Sequence, residues 1–301
     1  MLSLIRNRPA GSSLLRVPPA TEAVITWTCD ARAGELGVCA RFADGSQSAR
    51  LPYVSFSANA RRSFSPHDGE VTLEVDVLRS SRPFVALEID ANVPLATLAA
   101  SVPVHRAARV DALPASGVPS AGETLPAVDV PARSQYLDGG PRSRTWCLPA
   151  TLGMLLAHAG VERSLPELAA ALYDDGYGAT GNWAFAIAHG GAHGLAGAAF
   201  HLRNLAHAAT FTRAGIPLAL SISWKEGALP GAPLAHSDGH LVVLRGFDPA
   251  GDPLLNDPAA QPVATRYPRE PFERAWLGHG GIALALVRPD RAPLLVRLAN
   301  R

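Results

Sequence analysis

Between residues 22 and 104 the chain alternates apolar and polar positions in short runs. AVITWTC (23–29), LGVCARF (36–42), RLPYVSFS (50–57), VTLEVDVL (71–78) and FVALEID (84–90) are rich in Val, Ile, Thr or aromatic residues, with Gly, Asp, Ser or Asn between them. A period of two marks a strand with one buried face, and evenly spaced runs predict an antiparallel β-sandwich or jelly roll. Residues 1–21, with Pro9, Pro18 and Pro19 among small and basic residues, read as a tail. Residues 105–130 lose all periodicity to Pro, Ala, Ser and Gly and read as a linker.

From 131 to 301 the texture becomes mixed. Helical stripes predict helices over 147–159, 165–173, 183–193, 201–213 and 269–277. LALSIS (218–223), HLVVLRGF (240–247), PLLN (253–256) and IALALVR (282–288) read as strands. Helices come first and strands follow, which predicts an α+β domain with a helical lobe and an antiparallel sheet.

With 301 residues, 48% hydrophobic and 18% charged, the chain has enough apolar material for two cores. A net charge of +1 argues against a nucleic-acid binder and against a polybasic membrane-surface protein. Lys225, the only lysine, lacks the glycine loop that would make it a phosphate-binding P-loop. No apolar run reaches the roughly 18 residues a spanning helix needs. The first 25 residues lack the apolar core and cleavage site of a secretory signal, so the expected location is cytoplasmic, with a secreted or periplasmic protein as the alternative.

Three cysteines cannot build a disulfide framework. Cys29 and Cys39 flank a turn at 30–35. A hairpin there would set them opposite each other, either as a disulfide in an exported protein or as two reduced core thiols. His189 and His193 share a helix face but lack a third ligand, so neither a metal site nor a cofactor is expected.

The third cysteine sits differently. Gly139, Gly140 and Pro141 enforce a loop before Cys147, and Leu148, Leu152, Leu155 and Leu156 form a helical stripe after it. Pro149 is tolerated only in a first turn. Cys147 is therefore expected at a helix N-terminus, where unpaired N–H groups and the helix dipole favour the thiolate. Among ten histidines, His240 stands out because it opens an apolar strand after Asp238-Gly239, a placement suited to a proton partner for sulfur. A hairpin between 240–247 and 253–258 would set His240 opposite residues 257–260. That selects Asp257 to hold the ring, with Asn256 as runner-up because successive strand side chains face opposite ways.

The order Gln135, Cys147, His240, Asp257 resembles the papain-like cysteine peptidases. More narrowly, VPARSQYLDGG, RTWCLPA, GNWAFAIA, GHLVVLRGFD, LLNDPAA and RYPREPFERAW resemble the bacterial peptidase family C39-like proteins. These are relatives of the domain that removes double-glycine leaders from bacteriocin precursors. The resemblance covers about residues 128–290 and implies a papain-like domain acting on a peptide or protein. It implies Cys147 as nucleophile, His240 as general base and acid, Asp257 as orienter and Gln135 as oxyanion donor. It also implies Trp146, Asn182 and Trp183 at the substrate cleft. The leader-processing members carry a membrane transporter and a nucleotide-binding domain, and neither is seen in these 301 residues. A transamidase or acyltransferase on the same fold, or a non-catalytic binding protein, would share these residues. The β-rich front half resembles accessory modules, and its ligand stays open between carbohydrate and protein.

Overall fold

The computed structural model describes residues 1–103, 127–137 and 140–301, so most of the expected linker lies outside the described residues. The chain divides into two compact units. One takes in residues 1–103, 170–200 and 288–300; the other holds 201–287, residue 301 and the described residues of 104–169.

The first unit is built on eight strands: β1 (Leu2–Arg8), β2 (Gly11–Thr28), β3 (Gly34–Phe42), β4 (Leu51–Phe56), β5 (Arg61–Ser63), β6 (Val71–Glu74), β7 (Val77–Ala91) and β8 (Leu95–Ser101). All pairings are antiparallel, in the order β1-β8-β2-β7-β3-β4-β5, with β6 against β7. The strands belong to one hydrogen-bonded sheet, where a sandwich or jelly roll would have two. It nonetheless layers on itself: the Tyr53 hydroxyl on β4 donates to the Ile25 carbonyl on β2 at 2.7 Å, although β7 and β3 lie between these strands in the sheet. Trp27 is fully buried at this fold, against the rings of Tyr53, Phe56 and Phe185.

The strands begin at residue 2, which corrects the expectation of a tail over 1–21. Pro18 and Pro19 hid the strand because they fall where β2 slips register between Arg16 and Ala20, a place where a missing N–H costs no ladder bond. The expected 29–39 hairpin is also corrected. β7 lies between β2 and β3, so Cys29 and Cys39 are not opposite each other, and both are free buried thiols.

Residues 170–200 and 288–300 cluster with the front strands, although the sequence assigned them to the second domain. They carry α3 (Trp183–Gly191) and a C-terminal helix, Ala292–Ala299, that the apolar pattern did not single out. A buried carboxylate anchors the first of these segments. Asp174 accepts from the N–H of Ser63 on β5 at 2.8 Å and from the Asn182 carboxamide at 2.9 Å. Asp76, in the turn after β6, accepts from the N–H of Trp183 at 2.8 Å.

The second unit holds α1 (Cys147–His158), α2 (Leu165–Leu172), α4 (Leu205–Arg213) and α5 (Arg269–Gly278). Its strands are β10 (Leu218–Trp224), β11 (Ser237–Phe247), β12 (Pro253–Asn256), β13 (Ala264–Arg266) and β14 (Ile282–Val287); β9 (Ala196–His201) ends the 170–200 segment of the first unit. The order is β13-β12-β11-β10-β14. The near-continuous burial of β10, β11 and β14 reflects apolar runs covered on both faces, with α1, α4 and α5 packed on the central strands. The end of the expected linker is extended: the Val128 N–H donates to the Arg245 carbonyl at 2.8 Å. Gly246 permits this approach, since a Cβ there would come 3.1 Å from the Ala127 Cα. Among the described residues, no helix is long and apolar enough to cross a membrane.

Candidate active site

Cys147 is the first residue of α1, as its flanking sequence predicts. A 3-10 turn over Gly140–Thr145 precedes it, pinned by the Ser143 hydroxyl on the Gly140 carbonyl at 2.7 Å. Trp146 caps the helix without a side-chain bond, and Pro149 has no N–H to satisfy. The first intrahelical bond runs from the Ala150 N–H to the Trp146 carbonyl at 3.0 Å. The N–H groups of Cys147 and Leu148 are therefore the orphan donors of the helix start. One turn along, the buried Thr151 hydroxyl donates to the Leu241 carbonyl at 3.2 Å, tying α1 to β11 beside His240.

His240 pairs with Ile222 on β10, and its ring is buried. β11 pairs with β12 in the register that opposes Val243 to Asn256 and Leu244 to Leu255. Asp257 follows immediately, in a tight turn where its N–H donates to the Val263 carbonyl at 2.8 Å and its carbonyl accepts from Ala260 at 3.0 Å.

The three side chains act on one another in series. Asp257 Oδ1 lies 2.7 Å from His240 Nε2. The Cys147 thiol acts on the same ring, whose Nε2 is already taken by Asp257. Backbone groups of Leu241 and Leu148 also reach the sulfur. The Ala259 N–H donates to Asp257 Oδ1 at 2.8 Å and the Tyr267 hydroxyl to Oδ2 at 2.5 Å. Trp224 stands edge-on to the imidazole, ring centroids 5.9 Å apart, with its Nε1–H on the Leu234 carbonyl at 3.2 Å.

Burial pushes the Cys147 thiol up, but the His240 hydrogen bond and charge, with the Leu241 and Leu148 backbone, outweigh it and bring the thiol below its ordinary value. Burial likewise opposes the imidazolium, yet Asp257 and the Cys147 sulfur raise His240 to about 10. Burial works against the Asp257 carboxylate too, and His240, Tyr267 and the Ala259 N–H hold it below its ordinary value. Each shift favours a thiolate, an imidazolium and a carboxylate in sequence. Cys147 itself stays partly exposed.

Asn256 points elsewhere, its carboxamide donating to the Val130 carbonyl at 3.0 Å, so the geometry selects Asp257. Gln135 is buried. Its Nε2 donates to the Arg144 carbonyl at 2.9 Å and more distantly to that of Ser143 at 3.4 Å, beside the turn that leads into Cys147. Its backbone N–H reaches the Pro258 carbonyl at 2.9 Å, linking it to the Asp257 turn. Trp146 is half-buried next to Cys147.

Asn182 and Trp183 belong to the first unit, and the expectation that Asn182 lines a cleft is corrected. Asn182 is 0% exposed; it accepts from the N–H groups of Ala184 and Phe185 and donates to Asp174, the pattern of a helix cap. His189 and His193 face each other, Nε2 to Nε2, at 3.3 Å. No cluster of three metal-ligating side chains occurs among the described residues. Sequence reasoning missed Thr151, Trp224 and Tyr267, since nothing local distinguishes them from core residues.

No curated protein matches the chain. Seven chains among the solved structures match, three of them as follows. A protein described as a C39-like peptidase from Bacillus anthracis is 20% identical, with TM-score 0.41 over 53% of this chain and 95% of its own. A double-glycine-motif protease of an AMS/PCAT transporter, solved with the leader peptide, is 20% identical, with TM-score 0.37 over 54% of this chain and 94% of its own. The peptidase domain of Streptococcus ComA, a bifunctional ABC transporter involved in quorum sensing, is 18% identical, with TM-score 0.38 over 48% of this chain and 92% of its own. The model of the peptidase C39-like family matches residues 127–284. That segment is just over half of the sequence and contains Gln135, Cys147, His240, Asp257 and Tyr267, so the chain belongs to the peptidase C39-like family.

Proposed function

We propose that the protein is a papain-like cysteine peptidase or amidase that hydrolyses a peptide bond through Cys147, His240 and Asp257. The observation that carries this reading is a buried imidazole hydrogen-bonded to a buried carboxylate and acting on a partly exposed sulfur at a helix N-terminus. A structural cysteine would have no use for a charged partner in a low-dielectric site.

The Cys147 thiolate attacks the scissile carbonyl carbon, and the carbonyl electrons move onto oxygen. The Cys147 N–H donates to that oxyanion, joined by Gln135 Nε2 once it gives up its long bond to the Ser143 carbonyl. His240 gives its proton to the departing amine as the C–N bond breaks, leaving a thioester. Water then loses a proton to His240 and attacks the thioester. The C–S bond breaks, the carboxylic acid leaves and the thiolate returns. Asp257 keeps the ring oriented and offsets the imidazolium charge.

Incubation with a peptide library and a primary amine, read by mass, tests this. Hydrolysis products that disappear with Cys147→Ala are expected. Amine adducts in place of hydrolysis products would make the enzyme a transamidase, and unchanged turnover by Cys147→Ala would overturn the mechanism.

A further inference from the structure

Tyr267 stands ten residues beyond Asp257, between β13 and α5, and is 1% exposed with its ring stacked on Phe272 at 6.1 Å. A buried tyrosine needs a partner for its hydroxyl, and a backbone carbonyl would serve. Here the partner is Oδ2 of Asp257, at 2.5 Å. Asp257 is thus held at both ends. Oδ1 takes the His240 ring and the Ala259 N–H, and Oδ2 takes the phenol. One clamp would leave the carboxyl group free to turn about its Cβ–Cγ bond; two clamps fix its plane against the imidazole.

We infer that Tyr267 is a positioning residue of the catalytic centre: by holding Oδ2 it locks the Asp257 carboxyl plane against the His240 ring, so that His240 and Cys147 stay paired. The inference rests on the proposed reading of the triad and extends it to a fourth member.

Besides burial and backbone, Asp257 is acted on by His240 and Tyr267, Tyr267 by Asp257, His240 by Asp257 and Cys147, and Cys147 by His240. The neighbouring Arg266 is spent on Asp248, at 2.8 Å. At Oδ2 the phenol O–H donates and favours the charged form. Burial and Asp257 in turn hold the phenol far above its ordinary pKa, so it remains a donor at every working pH.

The sign follows. Removing the hydroxyl raises the pH at which Asp257 takes up a proton. A neutral Asp257 no longer supports the imidazolium, and the thiolate is lost with it. The acid limb of Cys147 reactivity therefore moves to higher pH.

The test is the rate of Cys147 alkylation by iodoacetamide from pH 4 to 9, read by mass on the Cys147 peptide. It needs no substrate, and it compares wild type, Tyr267→Phe, Asp257→Ala and the double variant. Phe keeps the ring stack, and circular dichroism checks the fold. In Tyr267→Phe the acid limb is expected to rise by about 1 in pH, the order of one lost hydrogen bond to a carboxylate. In the Asp257→Ala background the same substitution is expected to change nothing. A Tyr267→Phe profile that overlays wild type overturns the inference, as does an equal displacement in both backgrounds, which would mark Tyr267 as a packing residue. If wild-type Cys147 itself reacts at pH 6 no faster than a free thiol, the triad reading fails first and takes this inference with it.

Discussion

Cys147 does two jobs from one position: the helix start supplies orphan N–H groups, and His240 supplies a counter-charge. Cys147→Ala is expected to abolish peptide hydrolysis, and His240→Ala to lower kcat/KM by about 10³-fold or more, as for other nucleophile–base units. Asp257→Asn should cost less, because the amide still orients the ring; steady-state kinetics on one peptide would rank the three. The pH dependence separates two roles of His240. Hydrolysis needs the imidazolium proton and should fall as pH passes about 10. Alkylation needs only the thiolate and should not fall there. These residues were legible because each breaks its local pattern: a cysteine between a Gly-Pro loop and a leucine stripe, a histidine opening an apolar strand. Tyr267 was not legible, since RYPREP contains nothing that reports a partner ten residues back. Asn182 was misread as a cleft residue, although Asn immediately before WAFAIA is the ordinary signal of an N-cap.

At the scale of elements, the site depends on how α1 docks on β11. Thr151 makes that joint, its hydroxyl on the carbonyl of the residue that follows His240. Thr151→Val keeps the shape and leaves a buried carbonyl unpaired, which should cost about 1–2 kcal/mol in urea unfolding. It should also slow Cys147 alkylation by shifting sulfur relative to the ring. Thr151→Ser should restore both. The β11–β12 hairpin was readable from alternation and turn residues, and it sets His240 near Asp257 without any long-range information. What alternation cannot reveal is which strands come between. β7 lies between β2 and β3, so a sequence-adjacent pair that looked like a hairpin is not one. Prolines at a register slip likewise disguised the longest strand as a tail.

At the scale of the molecule, segments far apart in sequence are joined in the first unit by buried carboxylates. Burial, opposed by the Trp183 N–H, pushes Asp76 up to about 7, with Asp174 adding to the rise. The folded protein then holds a proton that the unfolded chain, near 3.8, has already lost. Stability should therefore fall as pH rises from about 4 to 7 and stay lower above that. Asp76→Asn keeps an acceptor for Trp183 and removes the charge. It should melt higher than wild type at pH 8, with the difference closing at pH 5, in thermal scans at both values. Domain boundaries were the least legible feature, because residues 170–200 carry the helical texture of the second half yet pack with the strands of the first.

The most direct measurement of the central claim is the alkylation rate of Cys147 at pH 6 in wild type against His240→Ala. An ordinary thiol is well under about 1% ionised at that pH. A wild-type rate at least about ten times that of the variant is predicted, because the imidazolium holds the thiolate in place. Equal rates would mean that sulfur and ring do not act together, and the assignment of a cysteine hydrolase centre would be contradicted.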